Sequence, residues 1–146
     1  KDLVIISNVE KNKFYSDLRK ATNFESDSRI KFVGTVYNSE LLKFIREHAY
    51  AYLHGHEVGG TNPSLLEALG STKVNLLLNV GFNKEVGMDS SLYWNKEKGN
   101  LAKLINETDG LKEEEIKRLD KSSNSRIVDH FDWTYIVKQY EKVMVE

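Results

Sequence analysis

Four short apolar runs, set apart by segments of helical spacing, constrain this chain more than anything else in it. Leu3-Val4-Ile5-Ile6 is continuous and rich in β-branched residues, and Ile30–Val33, Ala49–Leu53 and Val74–Leu78 follow it. The first reads as a strand buried on both faces, as in a parallel sheet covered by helices, and the others read as the second, third and fourth strands. Between them, Lys11–Asn23 carries Phe14, Tyr15, Leu18 and Ala21 at helical spacing. A second helix, capped by Asn38 or Ser39, runs through His48 with Leu41, Leu42 and Ile45 on its apolar face. Strand and helix alternate at the spacing of βαβ units, and right-handed crossovers then predict one Rossmann-like parallel sheet flanked by helices. Ser91–Tyr93 reads as a short fifth strand, and Leu101–Ile105, Glu113–Leu119 and Trp133–Val143 read as helices. The polar stretch Asp120–Ser125 is either a flexible joint or a continuation of the helix before it.

The 146 residues fit a single domain with a core of its own, 1–146. A net charge of -1 gives no basic footprint for nucleic acid. Without cysteine there is neither a disulfide nor a thiolate metal site, which is compatible with a reducing cytoplasm. No apolar run reaches membrane-spanning length. The chain opens on Lys1, directly ahead of an apolar run, so the expectation is a fragment of a longer enzyme.

Ligands of doubly wound sheets bind at the carboxyl ends of the strands. The loop after the third strand is the most unusual there: His54-Gly55-His56-Glu57-Val58-Gly59-Gly60-Thr61-Asn62, then Pro63-Ser64-Leu65-Leu66-Glu67. Pro63, the only proline, suits the first position of a helix, and Asn62 suits its cap. Gly59 and Gly60 allow close backbone approach, and a helix N-terminus offers amides and positive potential to a diphosphate. Glu67, one turn on, is placed to accept two ribose hydroxyls. The same residues also fit a plain turn before a core helix, with Glu67 solvated. His54, His56 and Glu57 imitate a metal cluster, but a polar pocket wall fits the two-residue spacing better, and no metal is expected. His48 and His130 read as solvated helix residues. Asn83-Lys84-Glu85-Val86 reads as a surface turn, with a place near the cleft as the other option. Ile136, Val137, Tyr140 and Val143 give the last helix an apolar face that would pack on the domain or its neighbour.

Taken in order, these pieces resemble the glycosyltransferase family 4 group of enzymes with the GT-B architecture. Pro63-Ser64-Leu65-Leu66-Glu67-Ala68-Leu69, the strand Val74–Leu78, Phe82-Asn83-Lys84-Glu85-Val86, Ser91-Leu92-Tyr93-Trp94 and Phe131-Asp132-Trp133 before a helix through Tyr140 are each similar to a family segment. The string from Gly55 to Ala68 is most similar to rhamnosyltransferase-like members that build bacterial capsule and other polysaccharides. The resemblance implies a donor-binding domain of a retaining hexosyltransferase. Its partners would be a UDP-, GDP- or dTDP-sugar and, through an absent N-terminal domain, a saccharide acceptor. It further implies no cofactor, a cytoplasmic place at or near the inner face of a membrane, and peripheral membrane association of the parent enzyme.

By the same resemblance Glu67 binds ribose. The backbone of Gly60–Asn62, with His56, Gly59, Pro63 and Ser64 around it, holds diphosphate or sugar. The loop at Thr35–Tyr37, with Val36 and Tyr37, meets the base. Glu57 is the catalytic, sugar-contacting acid. Two departures stand out. The family's acid lies eight residues before the ribose glutamate, where this chain has Gly59, so Glu57 must serve from two residues earlier. The family's preceding strand, with an arginine and a lysine that grip the diphosphate, is not in these residues. The fragment alone is therefore expected to lack transferase activity and to bind nucleotide weakly. Competing readings are a non-catalytic Rossmann-like module for a nucleotide or protein, and a GT-B epimerase or phosphorylase. A receiver domain lacks its carboxylates here, since Ser7, Asn8 and His54 stand in those places. A dehydrogenase lacks G-x-G-x-x-G after the first strand.

Overall fold

A computed structural model describes residues 1–145. The chain is Rossmann-like α/β, with parallel strands flanked by helices, but its strands form two sheets where one was expected. Hydrophobic alternation counts strands; it does not say which of them become neighbours. The residues divide into two units, Lys1–Leu42 and Lys43–Glu146, with the division falling inside helix α2 (Ser39–Glu47).

In the first unit β1 (Leu3–Ile5) pairs in parallel with β2 (Ile30–Phe32), Leu3 opposite Ile30 and Ile5 opposite Phe32. Helix α1 (Lys13–Thr22) connects them. It begins where the Asn12 side chain accepts the Tyr15 amide at 3.0 Å, and ends on Asn23 in the left-handed region at φ 50°. Arg19 and Lys20 in its last turn face the negative end of the helix dipole. Phe24 is the buried side chain, set edge-on to Tyr15 with ring centres 5.6 Å apart and tilted against Phe32 at 5.5 Å. The expected burial of β1 on both faces does not occur: Leu3 and Val4 are 43% and 45% exposed, and Phe32 and Val33 are similar. Two strands and one ten-residue helix carry too little surface to cover a sheet twice.

In the second unit β3 (Tyr52–His54), β4 (Asn75–Leu78) and β5 (Leu92–Trp94) run parallel in that order. The third strand starts later than the expected Ala49–Leu53, because its ladder opens where the Tyr52 amide reaches the Val74 carbonyl at 2.9 Å. The central strand β4 is buried at all four positions. Leu77 lies in a core with Leu65 and Leu69 of α3 (Pro63–Leu69) and Val86 of α4 (Gly81–Gly87). Gly87 lets α4 close on this core, since a Cβ there would stand 2.6 Å from Leu77 Cδ1 and 2.8 Å from Tyr93 Oη.

One expectation changes in this unit, and one open alternative is decided. Asn83–Val86 is helical, with Asn83 and Val86 buried, so it is no surface turn. Asp120–Ser125 lies inside α6 (Glu113–His130), after α5 (Asn100–Thr108). Leu119 and Ser123 are buried and Ile127 packs on the core, so a stripe at i, i+4, i+8 holds the polar stretch helical. The last helix, α7 (Trp133–Val145), buries no residue: Val137, Tyr140 and Val143 are exposed, and of the expected apolar face only Ile136 is half-buried. Among the described residues no helix is long and apolar enough to cross a membrane.

Candidate functional site

The carboxyl ends of β3, β4 and β5 gather one set of polar groups. The first is His54, the last residue of β3 and 2% exposed. Its Nδ1 lies 3.2 Å from the Tyr52 hydroxyl, while its Nε2 has no partner. Burial, and secondarily the nearby His56, pushes its pKa down to about 4, so the imidazole is neutral at physiological pH. The His56 ring stacks on it at 5.0 Å with 15° between the planes.

Asn83, in the first turn of α4, is fully buried. Its Nδ2 donates to the His56 carbonyl at 3.0 Å and to the Leu78 carbonyl at 2.9 Å, tying the loop after β3 to the end of β4. Its Oδ1 accepts nothing. Trp94 ends β5, and its indole Nε1 is also buried and unpartnered. Gly55 lies against that ring, where a Cβ would stand 3.7 Å from Trp94 Cζ2.

Beyond His56 the loop turns outward. Glu57 forms an ion pair with Lys96, both side chains being more than half exposed. Gly59 has φ +127°, a backbone state that a side chain strains to reach. Among the described residues the amides of His56 through Asn62 donate no hydrogen bond. The start of α3 is different. Pro63 has no amide hydrogen, Asn62 Oδ1 takes the Ser64 amide at 2.9 Å, and the Asn62 carbonyl takes those of Leu65 and Leu66 at 3.0 and 3.1 Å. The cap expected at Asn62 is present, and it consumes the helix amides expected to face a diphosphate. The free donors therefore belong to the loop, at Gly59, Gly60 and Thr61.

Glu67 is exposed, in the second turn of α3, and pairs with Arg46 of α2 at 2.6 Å. The arginine side chain is only 11% exposed. Ser64 is exposed, and so are Lys84 and Glu85. Val36 and Tyr37 belong to the Lys1–Leu42 unit, in the loop after β2, where Tyr37 is 88% exposed. The same unit carries a surface groove of about 580 Å3, lined by Lys11, Tyr15, Ser16, Arg19, Lys20, Asn23 and Glu25, which includes none of the site residues. Among the described residues no three His, Asp or Glu side chains gather closely enough for a metal ion. Arg46 and Lys96 escape a reading of the sequence, because each becomes relevant only through a partner far along the chain, Glu67 and Glu57. Tyr52, two residues from His54 on the same strand, reads there only as part of an apolar run. Compared with models of known protein families and with curated proteins, the chain matches none.

Proposed function

We propose that this chain is the donor-binding half of a retaining glycosyltransferase, which takes a nucleotide sugar and passes the sugar to a saccharide acceptor held outside these residues. One observation carries the reading: the loop after β3 presents a run of unengaged amides at Gly59–Thr61, with a glutamate one turn into the following helix. Backbone amides at the carboxyl end of a parallel sheet suit a diphosphate, whose charge they hold without a metal. Glu67 then takes the ribose hydroxyls with the carboxylate that Arg46 orients. Glu57 meets the donor sugar once it exchanges Lys96 for the ligand. The similarity of the Gly55–Ala68 string to rhamnosyltransferase-like members of family 4 supports a deoxyhexose or hexose donor and a place in surface polysaccharide synthesis, on the cytoplasmic side of a membrane.

A non-catalytic Rossmann-like module is the second reading. The Arg46–Glu67 pair favours it, since an ion pair with one nearly buried partner has a structural use of its own. A titration with UDP, GDP, dTDP and their sugars separates the two. Selective binding that weakens about ten- to a hundredfold in Glu67→Ala is the expected outcome, the range for losing a charged hydrogen-bonding group. The variant's fold is checked alongside by circular dichroism. Equal binding by Glu67→Ala, or no binding even by a longer chain containing these residues, sinks the donor reading.

A further inference from the structure

Among the described residues, five buried side-chain polar atoms lack a partner: Nε2 of His54, Oδ1 of Asn75, Oδ1 of Asn83, Oγ of Ser91 and Nε1 of Trp94. Asn75 opens β4, and Ser91 directly precedes β5, so those two lie at the amino ends of their strands. The other three belong to residues at the carboxyl edge, each of which lies against Gly55 or His56. Gly55 lies on the Trp94 ring, the His56 ring stacks on His54, and the His56 carbonyl accepts from Asn83. A buried group left unpaired costs stability, and three on residues packed against one dipeptide call for a partner supplied from outside.

We propose that His54 Nε2, Asn83 Oδ1 and Trp94 Nε1 form a subsite for the hydroxyl groups of a sugar ring, uncovered when Gly55 and His56 lift. This deepens the donor-binding reading and rests on it for the ring's nucleotide carrier. The atoms decide the ligand class. Trp94 offers only a donor, Asn83 Oδ1 only an acceptor, and His54 Nε2 one or the other according to its tautomer. No full charge stands among them, because the imidazole is neutral and the indole and amide carry none. An anion finds no counter-charge here. A hydroxyl both donates and accepts, so neighbouring hydroxyls satisfy such a mixed, uncharged set. The cover is lightly held: Gly55 and His56 are exposed, and lifting them breaks the Asn83–His56 bond and one histidine stack.

The chain has two tryptophans, so isotope-labelled protein gives two indole N–H signals, which Trp133→Phe assigns. Free rhamnose, mannose and glucose are titrated to about 0.1 M, a range that reaches affinities weaker than millimolar. Nucleoside diphosphates are titrated separately. A saturable shift of the Trp94 signal with at least one sugar, and none at Trp133, is expected. In Trp94→Phe, followed at the Gly55 amide, sugar affinity falls about tenfold, the range for one lost hydrogen bond. Asn83→Ala gives a similar loss where it folds; Trp94→Phe keeps the test open where it does not. A Trp94 signal unmoved by every sugar, or unchanged affinity in Trp94→Phe, overturns the subsite and leaves the three atoms to internal water. Nucleotide binding without a sugar response sinks the subsite and spares the donor reading. A sugar response with no nucleotide binding, even by a longer chain containing these residues, does the reverse.

Discussion

Leu3-Val4-Ile5 and Asn75-Leu76-Leu77-Leu78 stand at opposite ends of burial, although the first is the more uniformly apolar of the two. The first forms β1 of a two-stranded sheet, with Leu3 and Val4 close to half exposed. The second forms β4, flanked by a strand on each side, with every residue buried and an asparagine among them. The difference lies in what each strand finds around it. β4 has two ladders and the side chains of α3 and α4 against it. Within its own unit β1 has one ladder and a single connecting helix. Hydrophobicity makes a strand eligible for a core, and neighbours on both edges and faces make it one.

The largest test of that contrast is a pair of truncations. Leu77→Ala removes a fully buried side chain from the core of the second unit and should cost about 3 kcal/mol, whereas Leu3→Ala should cost less than about 1 kcal/mol. Denaturant unfolding at constant m-value reads both, and similar costs would mean that β1 is covered in solution.

A middle-sized effect comes from His54. Its folded pKa of about 4 lies below the ordinary value of 6.5, so the unfolded chain takes up the proton first as pH falls. The stabilisation is complete above the ordinary value and is lost as pH drops from 6.5 towards 4. After discounting for solvent access it amounts to about 1–2 kcal/mol. Thermal midpoints of the parent should fall more steeply over that window than those of His54→Gln; equal slopes would place the imidazole in contact with water. Tyr52 and His56 face the same ring, and neither replaces its contribution in the variant.

Smallest of all is Glu57→Gln. The pair with Lys96 is exposed at both ends, so stability should change by no more than about 0.5 kcal/mol. A larger loss would show that this loop is an integral part of the fold rather than a surface clasp.

Local chemistry was readable wherever it depended on near neighbours in the chain. Asn38 and Asn62 cap α2 and α3, Pro63 opens α3, and Gly59 takes a positive φ, each by contacts or torsions within a few residues. The expected strands and most of the helices lie where their periodicity put them, with ends shifted by one to three residues. Asn83–Val86 went otherwise, because a core contact outweighed its polar composition, and a buried stripe decided the helical alternative for Asp120–Ser125. Only part of the candidate site was visible. His56, Gly59, Gly60 and Glu67 stand out in the string after β3. Trp94 and Arg46 join the picture only when the sheet sets β5 beside β4 and α2 brings Arg46 to Glu67 of α3.

The chain by itself therefore determined an α/β alternation, the caps and turns between its elements, and the loop most unlike an ordinary connection. Tertiary structure alone decided that the strands form two sheets, that β4 and not β1 is the core strand, and that the first-turn amides of α3 are consumed by their own cap. It also decided that His54, Asn83 and Trp94 share one buried edge. The reason is range: caps and turns follow from torsions and hydrogen bonds a few residues long, whereas burial and convergence follow from contacts between residues tens of positions apart, which no local pattern encodes.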